Sequence, residues 1–248
     1  METTSDLDSR VTDRDRRDPD ARSAGFESRD ERTLIEQWAR IGGVCGVLAM
    51  VVYTVGSAAE LTTAQEAVVA CLFGPAIICA SMGLYYVLRL FRRTVSLDLG
   101  LVANVAASIT LTLMLMAQLG LKGWFELEFG DGASDSTERA LHVAFEAANG
   151  IQLGLDVAWD VFLVLGTVLL GVNMWRHPRF GRVIAATGIA TAVTLIAINL
   201  ALFPEPPGHA GAIDLGPVLG AWYVVVSVCL LRSARWLGTQ PVAPTCQG

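Results

Sequence analysis

The sequence predicts an all-α, polytopic membrane bundle of six transmembrane helices with both termini in the cytoplasm. Six apolar runs carry the first part of this reading: 41–58, 67–90, 99–121, 151–175, 183–203 and 214–232. Each approaches or reaches the roughly 20 residues a helix needs to cross a bilayer core of about 30 Å. None shows the strict alternation of a barrel strand. In lipid a segment must satisfy its own backbone polar groups, so the runs are expected as helices.

Arginine distribution carries the second part. The N-terminal segment with Arg40 holds eight Lys or Arg, and the successive connections hold none, three, two, three and none, with two more after the last run. Alternate compartments therefore receive sixteen and two. Cytoplasmic connections are the ones enriched in Lys and Arg, and this split requires an even number of spans with both ends inside. Aromatic anchors agree: Trp38, Trp175 and Trp236 fall at the expected inner interface and Trp124 at the outer one, the headgroup level that indole prefers.

Charge is concentrated ahead of the first run. Residues 1–36 carry seven Arg and eleven Asp or Glu, with few apolar side chains. Such a segment buries too little surface to offset its ordering entropy, so it is expected as a disordered, charged cytoplasmic tail. A regulatory or partner-binding tail is the alternative. Residues 37–236 form the expected transmembrane domain, and 237–248 a short cytoplasmic C-terminal tail. No cleavable signal peptide is visible, because the first apolar run starts near residue 41 behind an Asp- and Arg-rich leader.

Composition removes several function classes. The chain is 53% hydrophobic and 17% charged, against about 25% charged in soluble domains. The net charge of −6 arises mostly in the first 36 residues, and no basic patch points to nucleic acid. Cys45, Cys71, Cys79, Cys229 and Cys246 form no C-x-x-C pair and indicate neither a disulfide framework nor a zinc site. Ser81 and Ser108 have no nearby base, and no phosphate-loop pattern occurs, so no cofactor is implied. The expected partners are the lipid bilayer and a small ion or molecule.

Two connections on the outer side have character. The third, 122–150, is long and acidic. Its second half is expected to be helical from Asp135, with Glu138 in capping-box register, and to run on into the fourth span with Gly150 and Gly154 permitting a bend. The fifth is turn-rich, with Asp214 placed to cap the sixth span and Pro217 in its first turn. Gly42-x-x-x-Gly46 is expected to serve close helix packing within the chain.

The sharpest feature is a polar stripe on the fourth span. His142, Glu146, Asn149, Asp156 and Asp160 follow at spacings of 4, 3, 7 and 4, one face of an α-helix interrupted by Leu153. At 1.5 Å per residue, Asp156 and Asp160 fall about 8 and 14 Å below the outer end of the run. A carboxylate there costs about 2.5–3.5 kcal/mol on insertion scales, so it should face the bundle interior or a wet cavity. No Lys or Arg lies inside any span, away from its ends, to pair with it, so at least one of the two is expected to carry a proton unless a cation binds. Gln118, Asn199, Glu66, Gln152, His209 and Asp214 fall in the same outer half, where they can line a cavity opening outward.

Three functions fit the pattern. The first is a small transporter or ion- or proton-coupled permease binding through Asp156 and Asp160, supported by Glu146, His142, Asn199 and Gln118. The second is a membrane-embedded metal-dependent hydrolase acting on lipid, with His142, Glu146, Asp156 and His209 as weak ligand candidates. The third is a non-catalytic structural or partner-binding subunit in which the stripe is a buried hydrogen-bond network. No convincing repeat relates the first three spans to the last three, which weighs against transport.

The C-terminal half carries a resemblance. IQLGLDVAWDVFLVLGTVLLG (151–171), HPRFGRVIAATG (177–188), FPEPPG (203–208) and IDLGPVLGAWY (213–223) resemble uncharacterised bacterial and archaeal integral membrane proteins, a domain-of-unknown-function family of multi-span proteins. The resemblance covers 151–236 and includes Asp156, Trp159, Asp160, Phe180, Gly181, Asp214 and Pro217. It implies a helical bundle in the cell membrane of a prokaryote and transfers no activity, substrate or catalytic residue.

Overall fold

The computed structural model describes residues 29–128, 135–203, 211 and 213–239. They form six helices: α1 (Arg29–Ala58), α2 (Thr63–Phe91), α3 (Val95–Glu128), α4 (Asp135–Met174), α5 (Gly181–Leu202) and α6 (Gly216–Thr239). There is no strand among the described residues. All six helices are long and apolar enough to cross a membrane.

The helices stand in a ring that follows chain order. Each packs on its sequence neighbours, α6 returns to α1, and the ring closes with a thinner seam between α5 and α6. Trp222 of α6 bridges that seam, its indole N–H donating to the Ile184 carbonyl at 2.8 Å. Close approach of α1 and α2 depends on Gly42 and Gly83. A Cβ on either would lie 2.8 Å from the other's Cα. The Gly42 motif thus serves packing within the chain, as small residues do between helices in lipid.

Three boundaries differ from the sequence reading. Residues 29–36, assigned to a disordered tail, are the first turns of α1. Ile35 is buried at 4% exposure and Arg32 at 7%. The reason is tertiary: the Arg32 guanidinium donates to the Leu237 carbonyl at the end of α6, where unpaired carbonyls and the helix dipole favour a cation. By the same contact α6 runs to Thr239, two turns past the end of its apolar run, so residues 237–239 are helix and not tail. The third connection differs only in its first half, where 122–128 continue α3; residues 135–150 belong to α4, as expected from Asp135. Residues 1–28 and 240–248 lie outside the described residues.

Local signals explain the other ends. Thr62 and Gln65 form a capping box at α2: the Gln65 side chain accepts from Thr62 N–H at 2.9 Å, and Thr62 Oγ1 from Gln65 N–H at 3.4 Å. Thr94 Oγ1 accepts from Leu97 N–H at 3.2 Å at the start of α3. Its own hydroxyl donates to Asn173 Oδ1 on α4 at 2.8 Å, which ties the start of α3 to the end of α4. Asp214 Oδ1 accepts from Gly216 N–H at 2.8 Å, so the expected carboxylate cap of α6 is present.

At 1.5 Å per residue α4 is about 60 Å long and α3 about 50 Å, against about 45 Å for α1 and α2. The first described turns of α4 outrun the ring. Residues 142–144, 146, 147, 150 and 151 are exposed, and nothing lies within 4 Å of a Cβ placed at Gly150 or Gly154.

Candidate functional site

Inside the ring lies a cavity of about 730 Å³ lined by residues from all six helices. Its rim is at the end where α2 and α6 begin, marked by Glu66, Lys122 and Asp214. Its floor includes Gly46, Ala80, Leu163 and Tyr223. The rim is wet: Asp214 is exposed and the Lys122 side chain is 51% exposed. Towards the floor Leu195 and Leu219 are 3% and 2% exposed.

The α4 stripe meets this cavity with its lower half. Asp160 is 4% exposed and lines the wall. Asn199 of α5 reaches across, its amide donating to Asp160 Oδ2. Asp156, one turn nearer the rim, is half-buried and also lines the cavity. Trp159 sits between them in sequence and contributes its ring, while its Nε1 is buried without a partner. Neither carboxylate pairs with Lys or Arg among the described residues. The described lining holds one cation, Lys122, whose Nζ lies 3.1 Å from Glu66 Oε1. A buried carboxylate with one amide partner is neutralised by a proton or by a bound cation.

Below the floor the ring is closed by side chains. Tyr223 OH donates to Asn104 Oδ1 at 3.1 Å and shares a 2.9 Å hydrogen bond with Thr167 Oγ1, joining α3, α4 and α6. Asn104 and Thr167 are fully buried, and Asn104 Nδ2 has no partner. Thr167 is seven residues beyond Asp160, on the same helical face.

Of the residues singled out from sequence, the fold brings Asp156, Asp160, Asn199 and Gln118 to one cavity, with Glu66 and Asp214 at its rim. It does not bring His142 and Glu146 there. Both are exposed on the part of α4 that outruns the ring. The periodicity puts them in register with Asp156, but at that height α4 still lies beside α3, with Ala144 and Ala148 meeting Ala117, Gly120 and Leu121, while His142 and Glu146 are exposed. Gln152 is buried at 8% and lines a separate pocket between α3 and α4. His209 lies outside the described residues. The ligand group proposed around His142, Glu146 and Asp156 is not assembled. Among the described residues no three His, Cys, Asp or Glu side chains are placed to hold a metal ion. Sequence reasoning passed over Lys122, Tyr53 and Tyr223. A lone Lys and two tyrosines have no periodic signal, and long-range pairing alone reveals them.

These features define six membrane-capable helices among the described residues, around a cavity whose lining carries four carboxylates and one cation. Comparison with models of protein families, with curated proteins and with solved structures found no match.

Proposed function

We propose that this chain is a multi-pass protein of the cell membrane, with six transmembrane helices and cytoplasmic termini, acting as a small ion- or proton-coupled permease. The cavity opens to the outside and binds its solute at Asp156 and Asp160. The observation that carries this reading is Asp160 itself: a carboxylate buried deep in the wall of a wide-mouthed cavity, with an amide and no cation beside it. Ionisable groups at such depth are costly and belong to ion and proton pathways. The hydrogen-bonded Tyr223, Thr167 and Asn104 beneath the floor form the closed inner gate. Six apolar helices and the sixteen-to-two arginine split support the topology.

Reconstituted vesicles test the activity. An imposed pH gradient should decay faster with the wild-type chain than in empty vesicles, and Asp160→Asn should return it to the empty rate. Equal decay for both proteins would remove the reading. Single-cysteine labelling tests the wiring: residues 89–93 and 176–182 should resist an impermeant thiol reagent applied to intact cells, and labelling there would invert the assignment.

A further inference from the structure

The chemistry of the cavity wall points to the class of its occupant. Most of the wall is apolar, with Ala49, Ile77, Leu111, Met114 and Leu219 among its residues. Four rings face it, from Tyr53, Phe73, Trp159 and Tyr223. Its described charges are four carboxylates, Glu66, Asp156, Asp160 and Asp214, against one cation, Lys122. Asp156, Asp160 and Asp214 stand unopposed, because the described cation, Lys122, is engaged by Glu66.

A bare metal ion does not fit this arrangement. Asp156 and Asp160 are one helical turn apart, about 6 Å along the axis. Asp214 belongs to another element at the rim, and no three ligand-type side chains converge among the described residues. A space of about 730 Å³ is the size of a site for a drug-like molecule. Apolar walls offer burial for a hydrophobic body, and aromatic faces and carboxylates both attract a positive centre.

We infer that the cavity binds an organic cation, a protonated amine or quaternary onium carried on an apolar body. Asp156 and Asp160 supply the counter-charge, Asp214 draws the cation in at the rim, and the aromatic rings enclose the body. This inference rests on the cavity being the binding site of the proposed permease, and it adds the substrate class.

The test uses the full chain in nanodiscs of phosphatidylglycerol, with radiolabelled tetraphenylphosphonium as probe and tetraphenylborate as an anion of the same shape. Empty nanodiscs give the partition background. Saturable tetraphenylphosphonium binding is expected, at least fivefold weaker in Asp160→Asn or in Asp156→Asn, and unchanged in Thr187→Val on the exposed side of α5. Competition by a soluble alkylamine identifies a dissolved substrate. Competition that appears when phosphatidylethanolamine enters the bilayer identifies a lipid amine headgroup, and both results uphold a cationic occupant. The inference is overturned by absence of saturable binding, by tetraphenylborate binding as tightly, or by less than fivefold weakening in both aspartate variants. If tetraphenylphosphonium fails to bind while Asp160→Asn still abolishes proton flux, the substrate class falls and the permease reading stands. If neither measurement responds to Asp160→Asn, both fall.

Discussion

Replacing Gly83 by alanine should loosen the α1–α2 wall of the cavity. The new Cβ would lie 2.5 Å from the Trp38 carbonyl oxygen and 2.8 Å from Gly42 Cα. Both neighbours are backbone and cannot rotate away. Ordinary contact begins near 3.4 Å, so the helices must part by roughly 0.6–0.9 Å. A gap of that size forfeits a quarter to a half of each dispersion contact, itself about 0.1–0.2 kcal/mol. Over some tens of contacts along the seam the loss is about 1–3 kcal/mol, the usual cost of overpacking. For a chain of this size that lowers the melting temperature by about 2–12 °C, taking soluble domains as the scale. Thermal unfolding of the purified protein in one detergent, followed by circular dichroism, measures it. Gly154→Ala is the paired control. Nothing lies within 4 Å of its Cβ, and alanine favours helix by up to about 1 kcal/mol, so its melting point should hold or rise. A Gly83→Ala protein that melts at or above both wild type and the control would refute the packing argument.

Other perturbations read other parts of the molecule. Tyr223→Phe removes two hydrogen bonds and leaves the buried Asn104 without a side-chain partner, which should cost about 1–2 kcal/mol in detergent unfolding. No loss would mean that the closure below the cavity is not held by this triad. Lys122→Gln breaks an ion pair whose members are half- and one-quarter exposed, so stability should change by less than about 1 kcal/mol. His177, in the turn between α4 and α5, is 3% exposed and packs 4.3 Å from the Phe91 ring. Its Nδ1 accepts from Arg179 N–H at 3.2 Å, which requires that nitrogen to be unprotonated. Burial, and then the Arg179 charge, lower its pKa to about 4. Between pH 6.5 and about 4 the unfolded chain holds a proton that the folded chain refuses. Stability should therefore be full above pH 6.5 and fall on acidification through that window, by no more than about 3 kcal/mol. Unfolding midpoints of His177→Gln should slope less over the same range; an equal slope would assign the acid sensitivity elsewhere.

Local physics wrote part of this protein plainly into its sequence. Each apolar run became a helix because length and hydropathy are properties of one segment, and the ring follows chain order because short connections join neighbours. Asp156 and Asp160 were legible as a pair because a turn of helix puts residues four apart on one face. Height along the bundle was not legible. His142 and Glu146 follow the same periodicity yet are exposed and line no part of the cavity, on a stretch of α4 whose Ala144 and Ala148 still meet α3. Nor were pairings across the ring, such as Asn199 with Asp160, Lys122 with Glu66, and Tyr223 with Asn104, separated by 39, 56 and 119 residues. The start of α1 belongs with them: a charge-rich stretch reads as unfolded until the end of α6 supplies carbonyls for Arg32. The sequence alone determined which segments are helices and which carboxylates share a face within an apolar run. Tertiary structure decided which of those side chains share a cavity, because that depends on where six separate axes begin and end relative to one another.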